Sequence, residues 1–359
     1  WDILHDGEIL TVWMARLFNT NHYGFIMNEL KGKKILITGG TGSLGQALTR
    51  RLLKTEVDVI RIFSRNENKQ VMMQSEINDD RLRYLIGDIR DAPRLQRALE
   101  DIDIVFHAAA LKHVPIVEYN PFEAINTNVI GSRNVIEACL HENVEIVVGI
   151  GTDKAVSPLN TYGATKLLME KLFVTASNYL DKKRHKTKFI SLRYGNVLGS
   201  SGSVIPKFIQ QIKSKQKITI TSPEMTRFSI TMDEALDFIL ASTFTGKGSE
   251  VFVPKLKAYT IETVKESLQE LLGNTGEEKI PVRHGEKYHE TLINTDELRT
   301  TLENDTGYVI IQRQLSDEEI KQEYPNMKRV VFTKPYSSDK VELIEKDTLK
   351  DIIVKSNLI

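Results

Sequence analysis

The sequence predicts an α/β fold, a doubly wound parallel sheet with a smaller C-terminal substrate lobe. Three observations carry this. Apolar runs of strand length alternate with helix-length segments from Lys34 to Val197. A glycine-rich turn, TGGTGSLG, follows the first run and opens a helix. After Tyr194 the alternation stops, and glycine, serine and short mixed pieces replace it. Strands alternating with helices imply parallel pairing through right-handed crossovers.

Residues 1–26 stand apart from the rest. They hold both tryptophans, Trp1 and Trp13, with no clean period and no signal-peptide cleavage pattern. Two readings stay open for them: an upstream extension of uncertain origin, or a packing or partner-binding arm. Met27 then opens MNELKGKKILITGG, which reads as a natural start.

Six strands come next: KILITGG, VDVIRIFSR, LRYLIGDI, IDIVFHAAA, EIVVGI and KFISLRYGNV. The helices between them are SLGQALTRRLLK, NKQVMMQSEIN, APRLQRALE, the long PFEAINTNVIGSRNVIEACLHE, and residues 162–180. The expected division gives 27–192 with 229–250 to the nucleotide-binding domain, and 193–228 with 251–294 to the lobe. Residues 295–359 are expected to form a polar linker, DELRTTLENDTG, and a tail ending in the amphipathic helix KDTLKDIIVKSNL.

A chain of 359 residues suits one large domain or two lobes. Lysine plus arginine equals aspartate plus glutamate, 48 each, so charge argues against nucleic acid or an anionic membrane as partner. The single cysteine, Cys139, excludes an internal disulfide framework and reads as a core thiol in NVIEACLHE. No apolar run approaches the ~20 residues that span a bilayer. A soluble, cytoplasmic protein is expected.

The glycine turn is the nucleotide end. Gly39, Gly42 and Gly45, with Thr41, Ser43 and Leu44 between them, sit between a strand and a helix. Glycines there admit a tight turn and close approach of a phosphate, and the helix N-terminus stabilises the anion. The end of the second strand selects the cofactor: a carboxylate serves the ribose of NAD, cations serve the 2′-phosphate of NADP. Ser64 and Arg65 follow IRIF, Lys69 comes a turn later, and Glu67 stands beyond the acid position, so the pattern favours NADP. Asp88, followed by Ile89, reads equally as an adenine contact or a capping acid. Ala108, Ala109 and Ala110 are small enough for a cofactor ribose to lie near the backbone.

The chemistry gathers in GTDKAVSPLNTYGATK. Thr152, Asp153 and Lys154 lie on a turn after the fifth strand, and Tyr162 and Lys166 fall one helical turn apart on one face. A cation beside a phenol favours phenolate, so a tyrosine with an ordinary pKa near ~10 becomes a base near neutrality. Tyr-x-x-x-Lys alone is common on surface helices; the glycine turn gives it meaning. His113 has no second ligand at metal-binding spacing, so no metal is expected.

The glycine turn and Tyr-x-x-x-Lys, in this order, resemble the extended short-chain dehydrogenase/reductases, with a Rossmann-like sheet. SRNE, IGDIRDAPRL, HAAALKHVPIVEYNP, TDKAVSPLNTYGATK, RYGNVLGSSGSVIP, MTRF and RHGEK together resemble the C5-inverting UDP-N-acetylglucosamine 4,6-dehydratases, from about Lys34 to Glu290. The resemblance implies tightly bound, recycled NADP and a UDP-N-acetylglucosamine substrate. It also implies a cytoplasmic homo-oligomer, a dimer or hexamer, serving pseudaminic acid or related sugars.

It further implies roles for the residues. Tyr162 takes the 4-hydroxyl proton, Lys166 holds the nicotinamide ribose, and Thr152 bonds near O4. Lys154 is the base at C5 and Asp153 the acid at the 6-hydroxyl. A neutral Lys154 is needed, which burial beside cationic neighbours could supply. Arg193, Asn196, Val197, Arg227 and Arg283 are implied around the nucleotide and pyrophosphate, Glu286 at the uridine ribose and Lys112 near the sugar.

Three details qualify the match. Gly151 stands where relatives usually have serine. RHGEK replaces a common RPGEK and resembles a capsule-sugar sister group, yet that group usually has methionine where Tyr162 stands. A UDP-sugar 4-epimerase or a capsule-type (L-FucNAc pathway) dehydratase/epimerase is therefore the alternative.

Overall fold

The structure, a computed structural model, describes residues 20–177 and 185–359. All six expected strands form: β1 (Lys34–Thr38), β2 (Val59–Ser64), β3 (Leu82–Ile86), β4 (Ile104–His107), β5 (Ile146–Ile150) and β6 (Lys188–Leu192). They pair in parallel in the order β3-β2-β1-β4-β5-β6. β5 is buried along its whole length, as a central strand covered on both faces must be. The chain reverses winding direction between β1 and β4. Ligands in such sheets bind in the crevice that opens there, beyond the carboxyl ends of the strands.

The two faces of the sheet carry separate cores. Ile37, Ile62, Phe106 and Val148 pack on one side; Leu36, Phe63, Val105 and Val147 pack on the other. Alternate residues of each strand point to opposite faces, which is why neighbours in sequence divide this way. The long helix expected after β4 is interrupted by a π-helical turn, Ile125–Ile130, before Gly131–His141.

Several expected boundaries shift. A helix spans Thr20–Leu30 and buries Ile26 and Leu30, so the boundary at Met27 falls inside an element. Both tryptophans, and the end of the 162–180 helix, lie outside the described residues. Val251–Pro254, assigned to the lobe, instead extends the main sheet in parallel beside β6. The expected linker is also sheet. Thr301–Glu303 and Gly307–Ile310 form a hairpin on that edge, and the Asn304 side chain accepts from the N–H groups of Thr306 and Gly307 to close its turn. Buried Leu302, Tyr308 and Val309 explain why this polar-looking stretch folds.

The lobe has its own core. Phe208, Ile212, Ile218, Val264 and Leu268 close on Leu349 and Ile353 of the helix Lys346–Lys355. The expected tail helix is thus part of the lobe, because its apolar stripe supplies one wall of that core.

Candidate active site

Gly39 ends β1 with φ +68, a conformation costly for any side chain, and an added Cβ would come 2.9 Å from the Ala109 backbone. The turn therefore presses against the end of β4 at the switch point. The helix Ser43–Leu52 begins beyond it with Gly42 as N-cap and no side chain capping its first N–H groups. An uncapped helix start behind a glycine turn fits a phosphate.

The expected adenosine end is more mixed. Ser64 is buried and its hydroxyl accepts from Gln70 Nε2 at 3.0 Å. Arg65 and Lys69 remain exposed at the mouth. Asp88 is bound by Arg90 at 2.7 Å, with Arg65 3.8 Å away. Burial raises its pKa, but the Arg90 bonds outweigh that and hold it below the usual carboxylate range. Ile89 is buried against Gly131, and Ala108–Ala110 stay half-buried along the crevice. At the base of the crevice, His107 bridges Thr38 (2.8 Å) and Ser132 (2.9 Å); burial, then Lys166, pushes its pKa down to about 3.

Thr152, Asp153 and Lys154 leave β5 on a short 3₁₀ turn, Asp153–Ala155. Gly151 has no room for a side chain here, since a Cβ would meet the Leu192 carbonyl oxygen at 2.0 Å. Glycine is thus the residue that lets this wall close against the end of β6. The helix Thr161–Ala176 starts at Asn160, whose side chain accepts from Gly163 N and donates to the Gly285 carbonyl at 2.9 Å. That second bond, with Lys287 Nζ donating to the Val156 carbonyl at 2.5 Å, draws the RHGEK loop onto the reactive turn.

Asp153 is fully buried. Its Oδ1 accepts from the Thr152 hydroxyl at 2.9 Å and from Lys154 Nζ at 3.0 Å, while Oδ2 has no partner. Lys154 Nζ also reaches Asn196 Oδ1 at 3.2 Å and Glu290 Oε1 at 3.5 Å. Burial lowers the Lys154 pKa, but Asp153 and then Glu290 outweigh that, so it rises above its ordinary value. The free protein therefore holds Lys154 as an ammonium. The cationic neighbours expected to neutralise it are outmatched by two carboxylates.

Tyr162 and Lys166 are both buried. Burial pushes the tyrosine up to about 12, against a pull from Lys154 and Thr152. It takes Lys166 down to about 7, with Glu170 opposing. Lys166 Nζ donates to the Ile150 carbonyl at 2.6 Å and contacts Met169 Sδ at 2.9 Å. The expected phenolate is therefore not the state of the free protein: burial holds the proton on Tyr162, and the cation that pulls on it is Lys154 rather than Lys166.

The remaining residues divide. Arg227 is buried, donates to the Thr226 and Tyr288 carbonyls, and lies 3.6 Å from Glu286 and 3.9 Å from Glu290. Arg283 is exposed on the same loop, with its N–H on Glu286 Oε2 at 3.4 Å. Lys112 donates to the Ser201 carbonyl at 3.0 Å at the rim. Asn196 and Val197 pair with Ser229 and Ile230, which turns Asn196 toward Lys154 rather than leaving it free for phosphate. Arg193 does not fit the clamp expected of it. It is 1% exposed, its guanidinium fork held by Glu170 (2.6 Å) and Glu297 (2.7 Å). As the first residue after β6, it points into the core, where a charge needs such partners. Glu290 was missed by the sequence reading; a lone acid in KYHE gives no periodic or spacing signal.

Fold and site together define an enzyme of the extended short-chain dehydrogenase/reductase class. A glycine turn at the switch point and a Tyr-x-x-x-Lys helix facing an acid–amine pair are its parts. The comparisons agree. Residues 35–312 match the family model described as polysaccharide biosynthesis protein, and the chain belongs to that family. It is 44% identical over 281 residues to the inverting UDP-N-acetylglucosamine 4,6-dehydratase of Campylobacter jejuni, covering 78% of this chain and 83% of that one. It is 40% identical over 328 residues to a UDP-glucose 4-epimerase of Rickettsia felis, covering 90% and 95%. The solved structure of Pen from Bacillus thuringiensis superposes with a TM-score of 0.86 at 39% identity, covering 92% of this chain and 99% of that one. Among the described residues no helix is long and apolar enough to cross a membrane, and no group of three or more metal-ligating side chains gathers.

Proposed function

We propose that this enzyme removes water across C4–C6 of UDP-N-acetylglucosamine with inversion at C5. The product is UDP-2-acetamido-2,6-dideoxy-β-L-arabino-hex-4-ulose, for pseudaminic acid or related surface-glycan sugars. The observation that carries the reading is the pair of buried Asp153 and half-buried Lys154, 3.0 Å apart, on the same turn as Thr152 and in the field of Tyr162. The inverting dehydratase from Campylobacter jejuni supports it.

NADP fits the crevice. The Gly39 cradle and uncapped helix suit its pyrophosphate, exposed Arg65 and Lys69 its 2′-phosphate, and Lys166 its ribose. When bound, it supplies a hydride acceptor for C4 and returns the hydride at C6. Tyr162, once it has lost to solvent the proton that burial holds on it in the free protein, takes the 4-hydroxyl proton, with Thr152 steadying the oxygen. The ketone at C4 then acidifies H5.

Elimination needs a neutral amine and a protonated acid. One proton provides both: passing along the 3.0 Å bond from Lys154 to Asp153, it leaves the amine as base and the carboxylic acid as donor. The unpartnered Asp153 Oδ2 is available to face the leaving hydroxyl. Arg227, Arg283 and Glu286 take the nucleotide end of the substrate.

The second reading is 4-epimerisation, the activity named for the rickettsial relative. Epimerisation at C4 has no use for an acid and amine held together, so the pair favours dehydration. Incubation with UDP-N-acetylglucosamine in D₂O, followed by NMR, separates them. Dehydration leaves deuterium at C5 and a 6-methyl group; a product that keeps its 6-hydroxymethyl and H5 overturns the reading.

A further inference from the structure

We propose that Glu290 is a positioning residue for Lys154, aiming its amine at the reacting carbon and remaining its counter-ion while Asp153 acts as an acid. The proposal rests on the dehydration reading above. Glu290 is 3% exposed, with Oε1 3.5 Å from Lys154 Nζ and 3.9 Å from Arg227 Nε, and Oε2 buried without a partner. Its backbone is clamped: its N–H donates to Ser338 Oγ at 2.9 Å, and its carbonyl accepts from Ser338 N at 2.8 Å. A carboxylate so fixed sets the direction of a flexible lysine.

The charge count gives the reason. Around Lys154 stand Asp153 on its own turn, Tyr162 on the helix, Asn196 and Tyr259 from the lobe, and Glu290. The cations Arg227, Lys112 and Lys287 also act on this cluster. Once Asp153 carries a proton it is no longer an anion. Glu290 is then the carboxylate left facing the amine, with Arg227 Nε 3.9 Å from its Oε1. In the step itself the C5–H bond breaks and its proton bonds to the Lys154 lone pair. The released electron pair forms the C5–C6 double bond as C6–O breaks, and the oxygen leaves with the Asp153 proton as water. While the electron pair from C5–H still rests in the C4 enolate and Asp153 keeps its proton, Glu290 offsets the positive charge on Lys154, where a fixed charge acts most strongly.

The test uses Glu290→Gln, which keeps shape and backbone clamp, and Glu290→Asp, which keeps charge. In Glu290→Gln, dehydration should fall ~10²-fold in kcat, the low end of the scale of one preorganised group, with little change in KM. The acid limb of its kcat–pH profile should move to lower pH, because a less basic amine frees itself sooner. Glu290→Asp should recover part of the rate and the wild-type limb. Wild-type kcat and limb in Glu290→Gln would overturn the proposal. So would a rate loss with an unmoved limb and a lowered melting temperature, the pattern of a structural role. Absence of dehydrated product from the wild type itself would overturn the underlying reading as well; the wild-type product is measured first, so the two failures are distinct.

Discussion

Lys154 Nζ lies 3.0 Å from Asp153 Oδ1, so the base and the acid of the proposed elimination are neighbours in sequence and share one hydrogen bond. Lys154→Ala should spare oxidation at C4 and stop the loss of water from C5 and C6. Single-turnover absorbance should show reduced nicotinamide accumulating, while dehydration falls ~10²–10⁴-fold, the usual range for a positioned base. Undiminished turnover would remove Lys154 from the reaction.

Tyr162→Phe should fail earlier. Without the hydroxyl no group takes the 4-OH proton, and reduced nicotinamide should not appear on mixing with substrate. The contrast between the two variants separates oxidation from elimination. A Tyr162→Phe enzyme that still reduces its cofactor would assign that proton to another residue.

The cofactor choice is tested at the mouth of β2. Arg65 is exposed there, with Lys69 in the first turn of the next helix. Arg65→Glu places a carboxylate where a 2′-phosphate would sit and a ribose hydroxyl could be accepted. Binding of NADP, followed by fluorescence titration, should weaken ~10–100-fold, the value of one or two charge-assisted bonds, while NAD binding holds or improves. Equal losses for both nucleotides would show that Arg65 does not read the phosphate.

The sheet was legible because buried parallel strands are short apolar runs whose period survives any context. KILIT, IVVGI and KFISL each appear where the sequence puts them. The edge hairpin was not, since it turns on the polar ENDT and is anchored by pairing of Gly307–Ile310 with the distant Val251–Pro254, which local spacing does not advertise. The site divides in the same way. Residues on one turn or one helix face, Thr152–Lys154 and Tyr162 with Lys166, can be read from local spacing. Which partner a long side chain chooses cannot: Arg193 turned to Glu170, and Asn196 to Lys154.

Arg193 makes that distinction measurable. Its buried fork is gripped by Glu170 and Glu297. Removing one member of such a set leaves uncompensated charge and costs ~3–5 kcal/mol. Arg193→Met should therefore lower the urea midpoint sharply while leaving KM for the UDP-sugar unchanged in the folded fraction. A raised KM with intact stability would return Arg193 to the phosphate clamp.

Lys166 should show the opposite balance, stability lost for the sake of the site. Burial takes its pKa from the ordinary 10.5 to about 7. Between those values the unfolded chain binds more protons than the folded one, so stability contributed through this group rises with pH across that window. Below about 7 the penalty is complete. Lys166→Met removes it, and the ligand-free protein should gain ~1–3 kcal/mol near neutral pH, the usual scale for a poorly compensated buried polar group. The gain should shrink as pH approaches 10.5. Bound NADP should stabilise the wild type more than the variant, because ribose oxygens give the ammonium acceptors that one backbone carbonyl and a thioether do not. Calorimetry of both proteins at neutral and alkaline pH, with and without NADP, checks each arm. A variant less stable than wild type at every pH would mean that the Ile150 contact outweighs the burial of the charge.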